Sequence, residues 1–212
     1  MNMTKKFFSA SFLMALLLLS TSLKAEPNAL GYEKISPAQP TQDSKKIEII
    51  EFFWYGCPHC LKFEPLLNKW KETLPANVQF IRQPAIFSSV WGKHAKLYFT
   101  AEALGVTNKV HADLFDAIQN KKQKLTKEDD AAKFFVARGV DETKFREAYN
   151  SFLVNSKMGQ AKAMAPRYGI TGVPAVIING KYKTNGPVAG SHEKMLEVIN
   201  KLIAQESALL AK

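Results

Sequence analysis

Apolar residues in the first third of the chain follow two patterns, one typical of strands and one typical of a helix. Residues 47–53 (IEIIEFF) are apolar at most positions, interrupted by Glu51, and predict a strand buried on both faces. Residues 78–83 (VQFIRQ) alternate like a second strand. Between them, apolar steps of three and four residues predict a helix from Cys57 onwards, with a kink at Pro65. The apolar stripe of this helix consists of Cys60, Phe63, Leu67, Trp70 and Leu74.

The middle of the chain, residues 84–169, has the pattern of successive helices and lacks the pattern of strands. Asp141 is suited to cap one of these helices, and Thr126 with Asp129 three residues later resembles a capping box. The predicted helices cover residues 90–104, 109–120, 126–138, 142–154 and 157–167.

Strand character returns towards the C-terminus. Residues 175–178 (AVII) predict a strand, Asn179-Gly180 predicts a hairpin turn, and residues 181–184 are expected to pair back. A last helix is expected to begin after Ser191 and to reach about Glu206.

The order of these elements predicts the fold. Without the helical middle part, the chain reads strand, helix, strand, then strand, strand, helix, which is a thioredoxin-like pattern. We therefore predict an α/β fold, with a central mixed sheet flanked by helices and a large inserted α-helical domain. The thioredoxin-like domain is discontinuous in this prediction. It covers residues 47–83 and 170–206, after an N-terminal extension over 26–46, and the insertion covers 84–169.

The first 25 residues have the pattern of a cleaved secretory signal peptide. Lys5 and Lys6 form a short basic region, residues 7–19 are uncharged and mostly apolar, and small residues lead to a cleavage site after Ala25. A membrane anchor is the alternative, but the apolar stretch is short for a span of about 20 residues. We expect export, and hence an oxidising compartment.

Composition and charge narrow the class of protein. A hydrophobic fraction of 46% and a charged fraction of 23% exclude collagen-like, mostly disordered and polytopic membrane proteins. The formal net charge of +10 would suit nucleic acid or anionic lipid. However, the lysines are spread along the chain, and the densest run, residues 121–124, has no interleaved aromatic residues. We interpret the charge as a solvated basic surface and expect no nucleic-acid partner.

Cys57 and Cys60 are the two cysteines of the chain, and they form a C-x-x-C motif with Pro58 and His59. The first turn of a helix has unpaired N–H groups and a partial positive charge, which stabilise a thiolate at Cys57. With a contribution from His59, the pKa of Cys57 should fall well below the free value of about 8.5. Cys60 should remain a shielded thiol. Such a pair makes an oxidising disulfide, because the dithiol form is stabilised.

Other uses of a C-x-x-C motif fit these residues less well. A zinc site requires four ligands, whereas the chain lacks a second cysteine pair, and His94, His111 and His192 have no paired spacing. Covalent haem requires a histidine after the motif, where Leu61 stands. A structural disulfide across so small a loop would gain little stability. We expect a redox-active pair, with no metal and no dissociable cofactor.

The motif in its context resembles a known family. FFWYGCPHC after a buried strand, the long helical insertion, and Gly172-Val173-Pro174 before a late strand are similar to the DsbA family of bacterial periplasmic disulfide oxidases. The resemblance extends from about Tyr32 to the last helix, and the CPHC tetrapeptide is its most specific part.

The resemblance implies roles for three residues outside the motif. Val173 and Pro174 would form a cis-proline loop beside the cysteines, with the Val173 backbone pairing to a client peptide. From the sequence alone, Pro174 is equally an ordinary proline at a strand start. Glu51 matches the family's buried acid and would relay a proton to or from Cys60. The alternative is that Glu51 pairs with a buried cation, for which Arg82 is the candidate.

The resemblance also implies a function. The protein would be a periplasmic thiol:disulfide oxidoreductase that donates its Cys57–Cys60 disulfide to unfolded or folding exported proteins with free cysteines. We expect a monomer, because no spare hydrophobic stripe is evident in the sequence. A groove near Trp54, Tyr55 and Pro174 would hold the client, and a quinone-linked inner-membrane partner resembling DsbB would reoxidise the pair. Two alternatives remain, a disulfide isomerase or reductase that uses the same pair, and a non-catalytic peptide-binding periplasmic chaperone.

Overall fold

The structure, a computed structural model, describes residues 30–210. The predicted signal peptide over 1–25 lies outside the described residues, as do residues 26–29 of the predicted extension. The strands are β1 (Glu33–Lys34), β2 (Ile47–Phe53), β3 (Val78–Pro84), β4 (Ala175–Ile178) and β5 (Tyr182–Asn185). The helices are α1 (Pro58–Lys71), α2 (Ser89–Ala103), α3 (Thr107–Gln119), α4 (Glu128–Val136), α5 (Glu142–Asn150), α6 (Phe152–Arg167), α7 (Gly186–Ala189) and α8 (His192–Leu210).

The five strands form one mixed sheet in the order β1-β5-β4-β2-β3. The fully buried β2 pairs in parallel with β3 and antiparallel with β4, while β5 and β1 extend the sheet by antiparallel pairs. Parallel neighbours need a crossover, which α1 provides between β2 and β3. The predicted α/β thioredoxin-like fold with a mixed sheet is therefore confirmed.

The helices α2 to α6 lie between β3 and β4 in the chain, and they share a hydrophobic core with the start of α1. One buried cluster joins Phe53, Tyr55, Cys57 and Cys60 to side chains from all five of these helices. A second cluster packs β2 and β4 against α1 and α8. The helical part thus buries the cysteine turn directly. The division of the chain at residues 84 and 169 stays a prediction.

Three predicted helix boundaries in the middle part are wrong, and one of them is the start of α6, which lies at Phe152 and not at residue 157. Thr126 does not cap a helix, because α4 begins at Glu128, with Lys127 as its N-cap residue and no side-chain cap. Leu125 is buried at a positive φ of 45° and turns the chain before the helix starts. The helix after Asp141 ends at Asn150, because Ser151 caps α6 by accepting from the N–H of Val154 at 3.2 Å.

The C-terminal hairpin is as predicted. Asn179 and Gly180 have φ of 51° and 65°, and the N–H of Lys181 donates to Ile178 O at 3.0 Å. A Cβ on Gly180 would also collide with Gln39 O, so this turn requires glycine. The sequence pattern missed β1 and α7, which are too short for a periodicity. Within residues 30–210, no helix has the length and apolar character needed to cross a membrane.

Candidate active site

The C-x-x-C motif lies in the turn between β2 and α1. Cys57 is the N-cap residue of α1, Pro58 occupies its first turn, and the N–H of Cys57 donates to Trp54 O at 2.9 Å. Gly56 is required in this turn, because a Cβ there would collide with the Trp54 indole. The motif therefore stands at a helix start, as the sequence predicts.

The two sulfur atoms, both present as thiols, differ in exposure and acidity. Cys57 is 8% exposed, whereas Cys60 is 0% exposed. A hydrogen bond from the Cys60 thiol, helped by the N–H groups of Cys60 and His59 and the His59 charge, outweighs burial and lowers the pKa of Cys57 to about 6. Burial raises the pKa of Cys60 well above its ordinary value, and the hydrogen bond to Cys57 adds to this. The N–H groups of the helix start lower the pKa of Cys57 as expected, but the largest contribution comes from the Cys60 thiol.

Val173 and Pro174 lie directly beside Cys57. The peptide bond between them is cis, and Val173 O accepts a hydrogen bond from the Cys57 thiol at 3.2 Å. Pro174 also immediately precedes β4. The two interpretations of Pro174 that the sequence left open, a strand start and a loop beside the cysteines, therefore both hold.

The ionisable side chains of Arg82, Glu51 and Glu64 are buried together behind the cysteines. Arg82 Nη2 donates to Glu64 Oε2 at 2.8 Å and to Oε1 at 3.0 Å, while Arg82 Nε reaches Glu51 Oε2 at 3.2 Å. Burial, together with the charge of Glu64, raises the pKa of Glu51 to about 8 despite Arg82. At neutral pH, Glu51 is therefore a neutral carboxyl that accepts from Arg82, and Glu64 is the main counter-charge of this guanidinium.

His111 of α3 extends this cluster to Tyr55. Tyr55 OH and His111 Nδ1 are 2.8 Å apart, and His111 Nε2 is 3.2 Å from Glu64 Oε1. Burial lowers the pKa of His111, so its ring is neutral at neutral pH, accepts from Tyr55 and donates to Glu64. Burial opposes ionisation of Glu64, but His111 and Arg82 together hold its pKa below the usual value.

A groove of about 680 Å³ runs past Pro174, and we call it the Pro174 groove. Tyr55, which was expected to line it, does not: Tyr55 is 1% exposed, because its hydroxyl finds a buried partner in His111. Trp54 is also absent from the lining and stacks on Trp91, with ring centroids 4.2 Å apart. The groove is lined by His59 and by residues 171–174, 185–188 and 190–192.

Comparison with known proteins identifies the family. A profile of the DSBA-like thioredoxin domain matches residues 48–199. The chain belongs to the DsbA family. The thiol:disulfide interchange protein DsbA of Pseudomonas syringae pv. tomato is 42% identical over 208 residues, which cover 97% of each chain. The Azotobacter vinelandii DsbA is 44% identical over 175 residues, which cover 82% of each chain.

The similarity extends to the three-dimensional structure. The crystal structure of Pseudomonas aeruginosa DsbA matches with a TM-score of 0.83 at 41% identity, covering 86% of this chain and 95% of that chain. This chain is thus a thiol:disulfide oxidoreductase with the DsbA fold. In its described part, residues 30–210, no group of three or more His, Cys, Asp or Glu residues is placed to hold a metal ion.

The helical part of this DsbA-family protein holds the active-site turn through residues that sequence reasoning missed. Gln119 of α3 donates its amide to Tyr55 O at 2.8 Å and to Cys57 O at 2.9 Å. The Trp54 indole donates to His94 Nδ1 at 3.0 Å, and His94 Nε2 bonds Lys124 O at 2.9 Å. These partners are dozens of residues apart in the chain. The one signal in the sequence that could have indicated these residues is a polar side chain on an otherwise apolar face of a predicted helix.

Proposed function

We propose that this protein is a periplasmic disulfide oxidase, which donates its Cys57–Cys60 disulfide to exported proteins that carry free cysteines. The observation that supports this direction is the difference in acidity between the two thiols. A Cys57 thiolate with a pKa of about 6 stabilises the dithiol form. The disulfide form is therefore readily reduced, which means that it oxidises its client.

Transfer of the disulfide proceeds in two exchange steps. A client thiolate attacks Cys57 Sγ, a bond forms between the two sulfur atoms, and the Cys57–Cys60 bond breaks with its electron pair on Cys60. A second client thiolate then attacks the client sulfur of this mixed disulfide, and Cys57 leaves as a stabilised thiolate. The client loses two electrons and gains a disulfide, while the cysteine pair takes up the two electrons.

The neighbouring residues assist these steps in our proposal. Pro58 starts the helix, and His59 stabilises the Cys57 thiolate. The Val173 backbone, whose carbonyl lies 3.2 Å from Cys57 Sγ, pairs with an extended client held in the Pro174 groove. The resemblance to DsbA supports reoxidation by a quinone-linked inner-membrane protein resembling DsbB, which accepts the two electrons and two protons of the dithiol.

We assign the proton of the first step to Glu51. Cys60 leaves as a thiolate in apolar surroundings and needs a proton, and Glu51 holds one at neutral pH because its pKa is about 8. In stopped-flow single-turnover oxidation of a two-cysteine peptide, we expect Glu51→Gln to slow mixed-disulfide formation about a hundredfold at pH 6.5, the lower end of general acid catalysis. The wild-type rate, relative to that of Glu51→Gln, should fall as the pH rises through about 8.

Alkylation of reduced Cys57 by iodoacetamide is the control for the Glu51 experiment, because it needs no proton on Cys60. Its rate should be nearly the same in wild type and Glu51→Gln. If the two proteins oxidised the peptide at equal rates from pH 5 to 9, Glu51 would act only as a partner of Arg82.

The redox equilibrium with glutathione tests the proposed direction. Reduction releases a proton from Cys57 above its pKa but not below it. We therefore expect the apparent equilibrium constant for reduction to rise about tenfold per pH unit between pH 6 and 8, and to be flat below about pH 6. The thiolate's stabilisation of the reduced fold is complete above the ordinary cysteine pKa and is lost as the pH falls through about 6.

His59→Ser gives the matched comparison for the glutathione experiment. Without the His59 charge, the break in the pH profile should move to higher pH. An equilibrium constant for reduction that does not change from pH 5 to 8 would contradict a lowered pKa of Cys57. A potential as reducing as that of thioredoxin, about −270 mV, would favour the reductase alternative.

A further inference from the structure

Two imidazole rings face each other at the Pro174 groove. His59 comes from the first turn of α1, and His192 is the first residue of α8. Their ring centroids are 6.5 Å apart, and the ring planes are nearly perpendicular at 83°. The His192 ring also packs on Phe63, with centroids 5.0 Å apart. The His192 ring is therefore held at the groove by the packing of α8 on α1, and the exposed His59 ring faces it.

Among the described residues, these two histidines are the ionisable side chains that line the groove. Among the described residues that line it, the others are uncharged at every pH of interest, including Thr171, Pro174 and Asn185. The charged neighbours of His192 stand outside the lining, namely Glu193 on its own helix and Lys62 on α1. The segment 185–190, which approaches the His192 ring at Gly186, carries no charged side chain. The charge of the groove lining thus changes with the proton of His192.

The separation of the rings suits a carboxylate. With N–H···O distances of about 2.8 Å, two rings whose centroids are 6.5 Å apart can both donate to one carboxylate group. Burial, followed by the charges of His59 and Lys62, lowers the pKa of His192 below its usual value, although Glu193 opposes the shift. His192 is therefore uncharged in the empty groove at neutral pH, and a bound carboxylate favours its protonation.

We propose that His192 is a specificity-determining residue, which together with His59 selects clients that carry an acidic side chain beside the reacting cysteine, more strongly as the pH falls. This inference rests on the proposed function, because it needs a client cysteine at Cys57. His59 is two residues from Cys57, and Val173 O is 3.2 Å from Cys57 Sγ. An extended client advances about 3.3 Å per residue, so the neighbours of its cysteine reach the imidazoles.

Competition between two peptides tests the role of His192. The peptides are identical two-cysteine sequences, except that one has Asp and the other Asn beside the attacking cysteine. For wild type at pH 5.5, we expect kcat/KM to favour the Asp peptide about threefold to fivefold, the effect of a partly exposed ion pair. The preference should disappear at pH 8. His192→Asn should lose most of it at pH 5.5, and His192→Lys should retain it at both pH values.

Lys201→Gln is the matched control, because it removes a positive charge from an exposed position of the same helix. Its preference should equal that of wild type. A His192→Asn variant with the wild-type preference at pH 5.5 would overturn the role of His192, and so would a His192→Lys variant whose preference still vanishes at pH 8. A wild-type protein that oxidises neither peptide would instead refute the proposed oxidase function.

Discussion

Replacing Cys57 by serine is expected to abolish disulfide exchange, whereas replacing Cys60 by serine should trap the partner as a stable mixed disulfide. The reason is that Cys57 is the reachable and acidic sulfur, with a pKa of about 6, while Cys60 is fully buried with a raised pKa. At pH 6, a peptide activated as a mixed disulfide should label Cys60→Ser at least about a hundredfold faster than Cys57→Ser, following the thiolate fractions. Mass spectrometry of the adducts measures both rates.

Serine is chosen at both positions because its hydroxyl keeps a donor of similar size. In Cys60→Ser, it replaces the thiol that donates to Cys57. Thermal unfolding of the two variants provides the control, since similar midpoints exclude a folding defect as the cause of lost labelling. Comparable labelling of both variants would mean that the burial of Cys60 does not govern the exchange. Rescue of client folding by Cys57→Ser in cells would favour the chaperone alternative.

Arg82→Met is expected to lower the free energy of unfolding by about 3–5 kcal/mol at pH 7, because it leaves a buried carboxylate without its partner. Arg82 is the cation that contacts both Glu51 and Glu64, and its side chain is 8% exposed. The stability is lost mainly because Glu64 loses its partner, since Glu64 is ionised at neutral pH and accepts from Arg82 through both carboxylate oxygens. Urea unfolding of the reduced proteins, followed by circular dichroism, gives the difference.

Two variants make the Arg82 experiment specific. Arg146→Met removes an arginine that also pairs with carboxylates, but at a solvent-exposed position, and should lower the free energy of unfolding far less than Arg82→Met does. Glu51→Gln should cost about 1 kcal/mol or less at pH 7, because Glu51 is already protonated there. A loss in Glu51→Gln as large as that in Arg82→Met would show that Glu51 is the ionised member of the cluster.

The stability of the wild type should also depend on the proton of Glu51. Its folded pKa of about 8 lies above that of an ordinary carboxyl. The folded protein therefore holds a proton that the unfolded chain has released, and this contribution to stability declines as the pH rises from the ordinary carboxyl pKa towards about 8. In our proposal, the proton of Glu51 therefore affects both the stability of the fold and the first exchange step.

The sequence by itself determined which two cysteines react and which strand and helix hold them. A buried strand followed by a helix places Cys57 at a helix start, and the α1 stripe turns Cys60 inward, because both patterns depend on local periodicity. The Asn179-Gly180 turn is local in the same sense. These features follow from neighbouring residues, so the chain order is enough to predict them.

Only the tertiary structure decided which groups surround the pair. Gln119 reaches the carbonyl of Cys57, His111 joins Tyr55 to Glu64, and His192 meets His59 across the groove. Each contact joins residues far apart in the chain, through the packing of the helical part and of α8 on α1. The sequence contains these residues but no periodicity that pairs them, because side-chain contacts depend on how the elements pack and not on their order.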